Sequence, residues 1–186
     1  MSNRKTNNSF LKEKIILRLL NLPDKKNIKV LDCYHGTGEI WKNIKLLTDK
    51  KIEIDGIDIK EYENTISLIG DNLKVLKSID INKYDIIDLD AYGIPDQQIE
   101  ILKSKNKKEI IIFYTFIASV FGRLSDKLLF KLGFSKNMLG KTNTIFSRDR
   151  HQKFLNYLSC LKIKGKVEWI EFNKRKYYGV FKINLE

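Results

Sequence analysis

Hydrophobic positions along the chain change period several times, and each change marks an element. From Phe10 to Leu22, Leu11, Ile15, Ile16, Leu19 and Leu20 recur at helical spacing, with Ser9 placed to cap the helix and Pro23 and Asp24 to end it. A short apolar run, "IKVLD" (28–32), reads as a strand, and the helical pattern returns over Glu39–Leu47. "IEIDGIDI" (52–59) alternates in the manner of a strand, followed by a short strand at "TISLIG" (65–70) and a helix over Asn72–Ile79. "YDIIDLD" (84–90) is a fourth strand. Pro95 stands where a helix starts, at its first turn, and that helix runs to Lys105. "EIIIFYT" (109–115) is the fifth strand, and "KVEWIEF" (166–172) with "YYGVFKINL" (177–185) reads as a hairpin.

Strands alternating with helices require crossover connections. The expected architecture is therefore α/β, a Rossmann-like, doubly wound, mainly parallel sheet closed by a C-terminal antiparallel hairpin. Residues 1–186 read as one domain. Residues 116–164 exceed an ordinary crossover and are helical in pattern, with breaks near Gly133 and Gly140. In this basic helical insertion Arg123, Lys127, Lys131, Arg148, Arg150 and Lys153 interleave with Phe121, Phe130, Phe134, Phe146 and Phe154. Two readings stand: phenylalanines in the core beneath a solvated cationic face, or a face for nucleic acid.

Composition narrows the partner. Thirty-five Lys and Arg against 23 Asp and Glu give a net charge of +12, which favours a polyanion, because clustered cations bind phosphates and release counterions. No apolar run approaches the roughly 20 residues of a membrane span, and the polar start "MSNRKTNNSF" has no apolar leader core, so a cytoplasmic location is expected. Cys33 and Cys160 have no ligand-spaced neighbours, and neither do His35 and His151. Both cysteines are expected to be buried thiols, and no metal site is expected.

Chemistry concentrates first in "VLDCYHGTGEIW" (30–41). Gly36 and Gly38 clear the backbone for close approach of a ligand, Asp32 ends the strand, and Glu39 opens the next helix, where a carboxylate suits the dipole. A dinucleotide fingerprint needs a third glycine where this chain has Trp41. The stretch instead resembles the first motif of class I S-adenosylmethionine-dependent methyltransferases, and the resemblance extends over nearly the whole chain. It implies S-adenosylmethionine as cofactor, held by the turn through Asp32, Tyr34, His35, Gly36 and Gly38. Asp58, with Ile59 beside it, matches the acid that accepts from the ribose hydroxyls. Asp71, between Gly70 and Asn72, matches the acid that accepts from the adenine amino group.

The second concentration is "DIIDLDAYGIP" (85–95). It is similar to the Asp-Pro-aromatic-Gly motif of tRNA guanine-N2 dimethyltransferases, with Asp90, Tyr92 and Gly93 matching and Ala91 standing where that family has Pro. The resemblance implies that Asp90 accepts hydrogen bonds from an exocyclic amino group, whose lone pair is otherwise conjugated into the base, and that Tyr92 stacks on the base. Asp88, two residues back in the strand, is expected to support the cofactor loop. Ala91, Gly93, Thr115 and Phe116 are expected to border the substrate, with Arg123, Arg148 and Arg150 on its phosphates. RNA is favoured over DNA. The alternatives are methyl transfer to a small molecule or protein, and a nonenzymatic nucleic-acid binder on the same fold.

Overall fold

The computed structural model describes residues 10–63, 65–91, 93–117, 126–139, 150–163, 168–172 and 176–183, with no side-chain description at 150 and 168–172. Its elements run α1 (Leu11–Leu20), β1 (Asn27–Asp32), α2 (Glu39–Leu46), β2 (Lys51–Asp58), β3 (Leu68–Ile69), α3 (Asn72–Ser78), β4 (Ile86–Leu89), α4 (Asp96–Lys105), β5 (Ile110–Ile117), α5 (Asp126–Lys131), α6 (Lys136–Leu139), α7 (Arg150–Cys160), β6 (Glu168–Phe172) and β7 (Lys176–Ile183). The strands form one sheet in the order β3-β2-β1-β4-β5-β7-β6. Neighbours among β1 to β5 pair in parallel, whereas β7 is antiparallel to both β5 and β6. The order reverses between β1 and β4, and sheets of this kind bind ligands beyond the carboxyl ends of their strands at such a reversal.

Two apolar layers cover the sheet. On one face Ile15 and Leu17 of α1 and Trp41 and Ile44 of α2 pack on Val30, Ile86, Phe113 and Val180. On the other, Leu76 of α3, Ile99 and Leu102 of α4 and Phe154 of α7 pack on Leu31, Ile87, Ile112 and Phe116. Among the described residues no helix is long and apolar enough to cross a membrane.

Several expectations shift. Pro95 precedes α4 as its cap instead of occupying its first turn. Tyr84 closes a short 3-10 turn (Ile81–Lys83), so β4 begins only at Ile86. β3 shrinks to two residues, and Thr65, expected in it, donates instead to the Thr37 carbonyl at 3.3 Å. β5 runs two residues further than expected because β7 continues to pair with it, Phe116 opposite Tyr177 and Ile117 opposite Lys176. Cys33 is buried as expected, but Cys160, at the end of α7, is exposed. Ser9 lies outside the described residues.

The insertion is anchored to α4: Lys131 bridges Asp96 (3.1 Å) and Glu100 (2.9 Å), and the Tyr157 hydroxyl donates to Glu100 at 2.9 Å. Inside it, the His151 ring stacks on Tyr177, with centroids 4.1 Å apart, and its Nε2 lies 3.2 Å from the Tyr114 hydroxyl. Burial pulls the His151 pKa down to about 4. A base depressed in the fold stabilises it above its unfolded value near 6.5, and that contribution is lost as pH falls towards 4. The loss is on the order of 3 kcal/mol. Because Asp88 shifts in the opposite direction, the comparison of wild type with His151→Phe isolates the effect. In urea titrations at pH 7 and 4.5 the variant is expected to lose less stability on acidification; an equal loss would refute the buried neutral imidazole.

Candidate functional site at the carboxyl ends of the strands

The turn after β1 is built around a histidine. Gly36 (φ 53°) and Gly38 (φ 70°) both adopt the left-handed region that favours glycine. Between them and β2 lies His35, its Nδ1 3.0 Å from Asp32 Oδ2 and its backbone N–H donating to the Ile57 carbonyl at 3.0 Å. A methyl group on Gly38 would come within 2.7 Å of His35 Nε2, and one on Gly56 within 2.5 Å of its Cγ. His35, expected to face the cofactor, therefore fills the space behind the turn and shapes it from within. Gly56→Ala must displace the ring, and overpacking of this kind costs about 1–3 kcal/mol. Thermal unfolding is expected to register that loss, and an unchanged midpoint would show that the ring has room to move.

Asp58 closes the turn from β2. Its Oδ2 accepts from Gly36 N at 2.8 Å and its Oδ1 from Lys60 N at 3.0 Å, and each oxygen retains acceptor capacity for another donor. Ile59, beside it, projects into solvent. Asp71 caps α3, accepting from Leu73 N at 2.8 Å and Lys74 N at 3.3 Å. The Gly70 N–H donates to the Asp58 carbonyl at 2.8 Å, which brings Asp71 alongside the end of β2. Asn72 bonds the Cys33 carbonyl at 3.2 Å, and Gln98 of α4 donates to both Asn72 Oδ1 (3.0 Å) and the Tyr34 hydroxyl (2.7 Å). Tyr34, Asn72 and Gln98 thus make one polar strip on the α3 and α4 side.

The other side belongs to α1. Arg18 grips Asp88 with two bonds, Nε to Oδ2 at 2.6 Å and Nη2 to Oδ1 at 2.7 Å, and Trp41 Nε1 donates to the same Oδ2 at 2.9 Å. Both charges are fully enclosed. Burial pushes the Asp88 carboxyl up, while the charge of Arg18 and its hydrogen bonds pull against this. Asp32 stands opposite Asp88 in the β1–β4 register, while the side-chain bonds of Asp88, expected to support the cofactor loop, run to Arg18 of α1 and Trp41 of α2.

One residue beyond β4, Asp90 has both oxygens engaged: Oδ2 by Lys14 Nζ at 2.5 Å, Oδ1 by the Thr115 hydroxyl. Burial acts to raise its carboxyl, but the charges of Lys14 and Arg18 and the bonds from Lys14 and Thr115 outweigh it and hold the group below the usual carboxylate range. Ala91 is buried. Gly93 (φ 146°) takes a conformation that favours glycine, and its carbonyl accepts from Ile117 N at 3.0 Å, tying this loop to β5. Thr115 reaches the site from inside β5. Phe116, one residue on, points to the opposite face among His151, Phe154 and Tyr177, so it is a core residue and does not border a substrate. Tyr92, Arg123 and Arg148 lie outside the described residues. Arg150 opens α7, and only its backbone is described.

The same architecture occurs in solved structures. A Listeria monocytogenes protein described as a class I S-adenosylmethionine-dependent methyltransferase superposes with a TM-score of 0.50 at 16% identity, over 95% of this chain and 58% of its own. A Methanococcus maripaludis protein described as an S-adenosyl-L-methionine-dependent methyltransferase gives 0.54 at 14% identity, over 100% and 98%. A Clostridium thermocellum protein described as an rRNA methylase gives 0.55 at 14%, over 98% and 100%. The fold is that of class I methyltransferases. The chain spans little more than half the length of the Listeria protein. No protein-family model matches the chain, and no curated protein matches it in sequence.

Within this methyltransferase fold, the residues that sequence reasoning missed are Lys14, Arg18 and Gln98. The first two carried a signal: they fall with Leu11 and Ile15 at positions 11, 14, 15 and 18, the spacing of one helix face, where cations call for partners. Gln98 carried none.

Proposed function

We propose that this chain transfers a methyl group from S-adenosylmethionine to an exocyclic amino group of a nucleic-acid base, in a tRNA-like RNA in preference to DNA, and that it acts in the cytoplasm. The observation that carries the reading is Asp90, an anionic carboxylate fixed at the carboxyl end of β4 beside the reversal in strand order. The cofactor fits what surrounds it: a glycine turn in the left-handed conformation, and Asp58, whose oxygens keep acceptor capacity for two hydroxyl donors. Asp71 is assigned to the adenine amino group through the oxygen not used in capping α3.

When bound, S-adenosylmethionine would supply an electrophilic methyl group, with the electron pair of the broken carbon–sulfur bond leaving on sulfur as the neutral thioether. Asp90 accepts hydrogen bonds from the amino protons, concentrates charge on the nitrogen as its bond to carbon forms, and passes the released proton towards water. Tyr92, two residues on, is assigned to stacking on the base, with the Ala91–Gly93 loop bordering it. Arg123, Arg148 and Arg150 are assigned to the phosphates, consistent with the net charge of +12. The base must leave any helical stack to reach Asp90.

The decisive experiment supplies cofactor labelled in its methyl group with separate pools of tRNA, rRNA, duplex DNA and protein, followed by nucleoside mass spectrometry. Label on an amino nitrogen of an RNA base is expected. Label only on protein or small molecules would overturn the substrate assignment, and absence of cofactor binding by calorimetry would overturn the activity.

A further inference from the structure

We propose that Lys14 of α1 is a positioning residue for methyl transfer, acting with Thr115 of β5 to hold the Asp90 carboxylate in one orientation and in its anionic form. The inference rests on the reading of Asp90 above.

The geometry is specific. Asp90 lies past the end of its strand, where a carboxylate held by one contact would be free to swing, yet each of its oxygens is held from a different element. Lys14 is 76 residues away in sequence and Thr115 is 25. The Lys14 side chain is only 9% exposed and otherwise runs over the ring of Tyr178, 5.1 Å from its centroid. Stability alone does not account for the pair: replacing both members of a buried ion pair by apolar residues of similar volume is often neutral or stabilising. What an apolar residue cannot do is set the charge and direction of the acid opposite.

The groups facing Asp90 are Lys14 and Arg18 from α1, Thr115 from β5, Tyr178 from β7 and Asp88 within β4. Arg18 donates Nε and Nη2 to Asp88 and Nη1 to the Lys14 carbonyl, and Lys14 is the cation that bonds Asp90 directly. With the lysine in place the acid remains an acceptor well into the acidic range. Without it, a buried carboxylate beside Asp88 is driven towards its neutral form, which donates where the amino group needs an acceptor.

The test combines a pH–rate profile of methyl transfer with carbon-13 NMR titration of the aspartate carboxyls, Asp90 being assigned from the spectrum of Asp90→Asn. Wild type is expected to show Asp90 titrating below about 3.9, the ordinary aspartate value. Lys14→Met, and Lys14→Gln should the first not fold, are expected to move both that titration and the acid limb of the profile upward by at least about one pH unit, a tenfold loss of rate at a pH on the limb. Lys14→Arg is expected to restore both. Folded variants with an unmoved titration and limb, or a wild-type Asp90 that titrates above the ordinary value, would overturn the proposal. Transfer with an unmoved limb removes the lysine's role and leaves the reading of Asp90 standing. A low, lysine-dependent titration without transfer to any nucleic acid removes the reading of the function and leaves the clamp.

Discussion

Asp90→Asn is expected to lower kcat for methyl transfer by about 10²–10⁴-fold, the range associated with loss of a positioned acid–base group, while affinity for S-adenosylmethionine stays within a few-fold. The two readouts separate because the cofactor is assigned to the turn after β1 and to Asp58, whereas Asp90 is assigned to the amino group and is held by Lys14 of α1 and Thr115 of β5. Asparagine keeps the size of the side chain and an oxygen for the Thr115 hydroxyl, but it removes the charge that the amino protons need. It also strands the Lys14 ammonium, and removing one partner of a buried pair typically costs about 3–5 kcal/mol. Part of any lost activity therefore reflects lost fold. The double variant Asp90→Asn/Lys14→Met separates the two: with the charge balance restored, stability in urea is expected to recover while transfer does not. Steady-state kinetics and calorimetry on the two variants decide the matter. Transfer at the wild-type rate by folded Asp90→Asn would remove Asp90 from the chemistry.

How much of this was legible in the sequence depends on whether the signal was local. The strands were, because runs such as Ile110–Phe113 are buried on both faces of a mainly parallel sheet and need no partner to identify them. Gly36 and Gly38 were, because backbone conformation is a property of the residue itself. Lengths were not: β5 runs to Ile117 only because β7 lies beside it, and that pairing joins residues far apart in the chain. The direction of side chains was legible only in part. Alternation along β5 already separates Thr115 from Phe116, yet nothing in "YTF" says which face meets the site. The role of α1 was least legible. Helical spacing picks out Leu11, Ile15, Ile16, Leu19 and Leu20 as its apolar positions; Ile15 is buried, but Ile16 and Leu20 are 41% and 78% exposed, while Lys14 and Arg18 are turned inward. Two ion pairs one helical turn apart fix that rotation, and their acidic halves lie 70 and 76 residues further along the chain.

That rotation rests on the Arg18–Asp88 pair, which is fully buried. Arg18→Met is expected to destabilise the protein by about 3–5 kcal/mol, the usual consequence of leaving one member of a buried pair without its partner. The cost arises because Asp88 is enclosed and, among the described residues, keeps only Trp41 as a side-chain donor, and because its neighbours Asp32 and Asp90 add repulsion. Arg18→Met/Asp88→Asn is expected to be the milder change, since asparagine retains an oxygen for the Trp41 Nε1 and no bare charge remains. The difference between the double variant and the sum of the single ones, measured by urea unfolding, gives the coupling directly. If Arg18→Met alone costs under about 1 kcal/mol, below the range for breaking a buried pair, then water or another cation reaches Asp88 and the enclosure is not as tight as drawn. Arg18 also lies one turn from Lys14 on α1, so its loss frees the helix to rotate towards its more apolar face. Methyl transfer is therefore expected to fall in Arg18→Met even though Arg18 is bonded to Asp88 and not to Asp90, and to recover in part in the double variant as α1 settles back against β4.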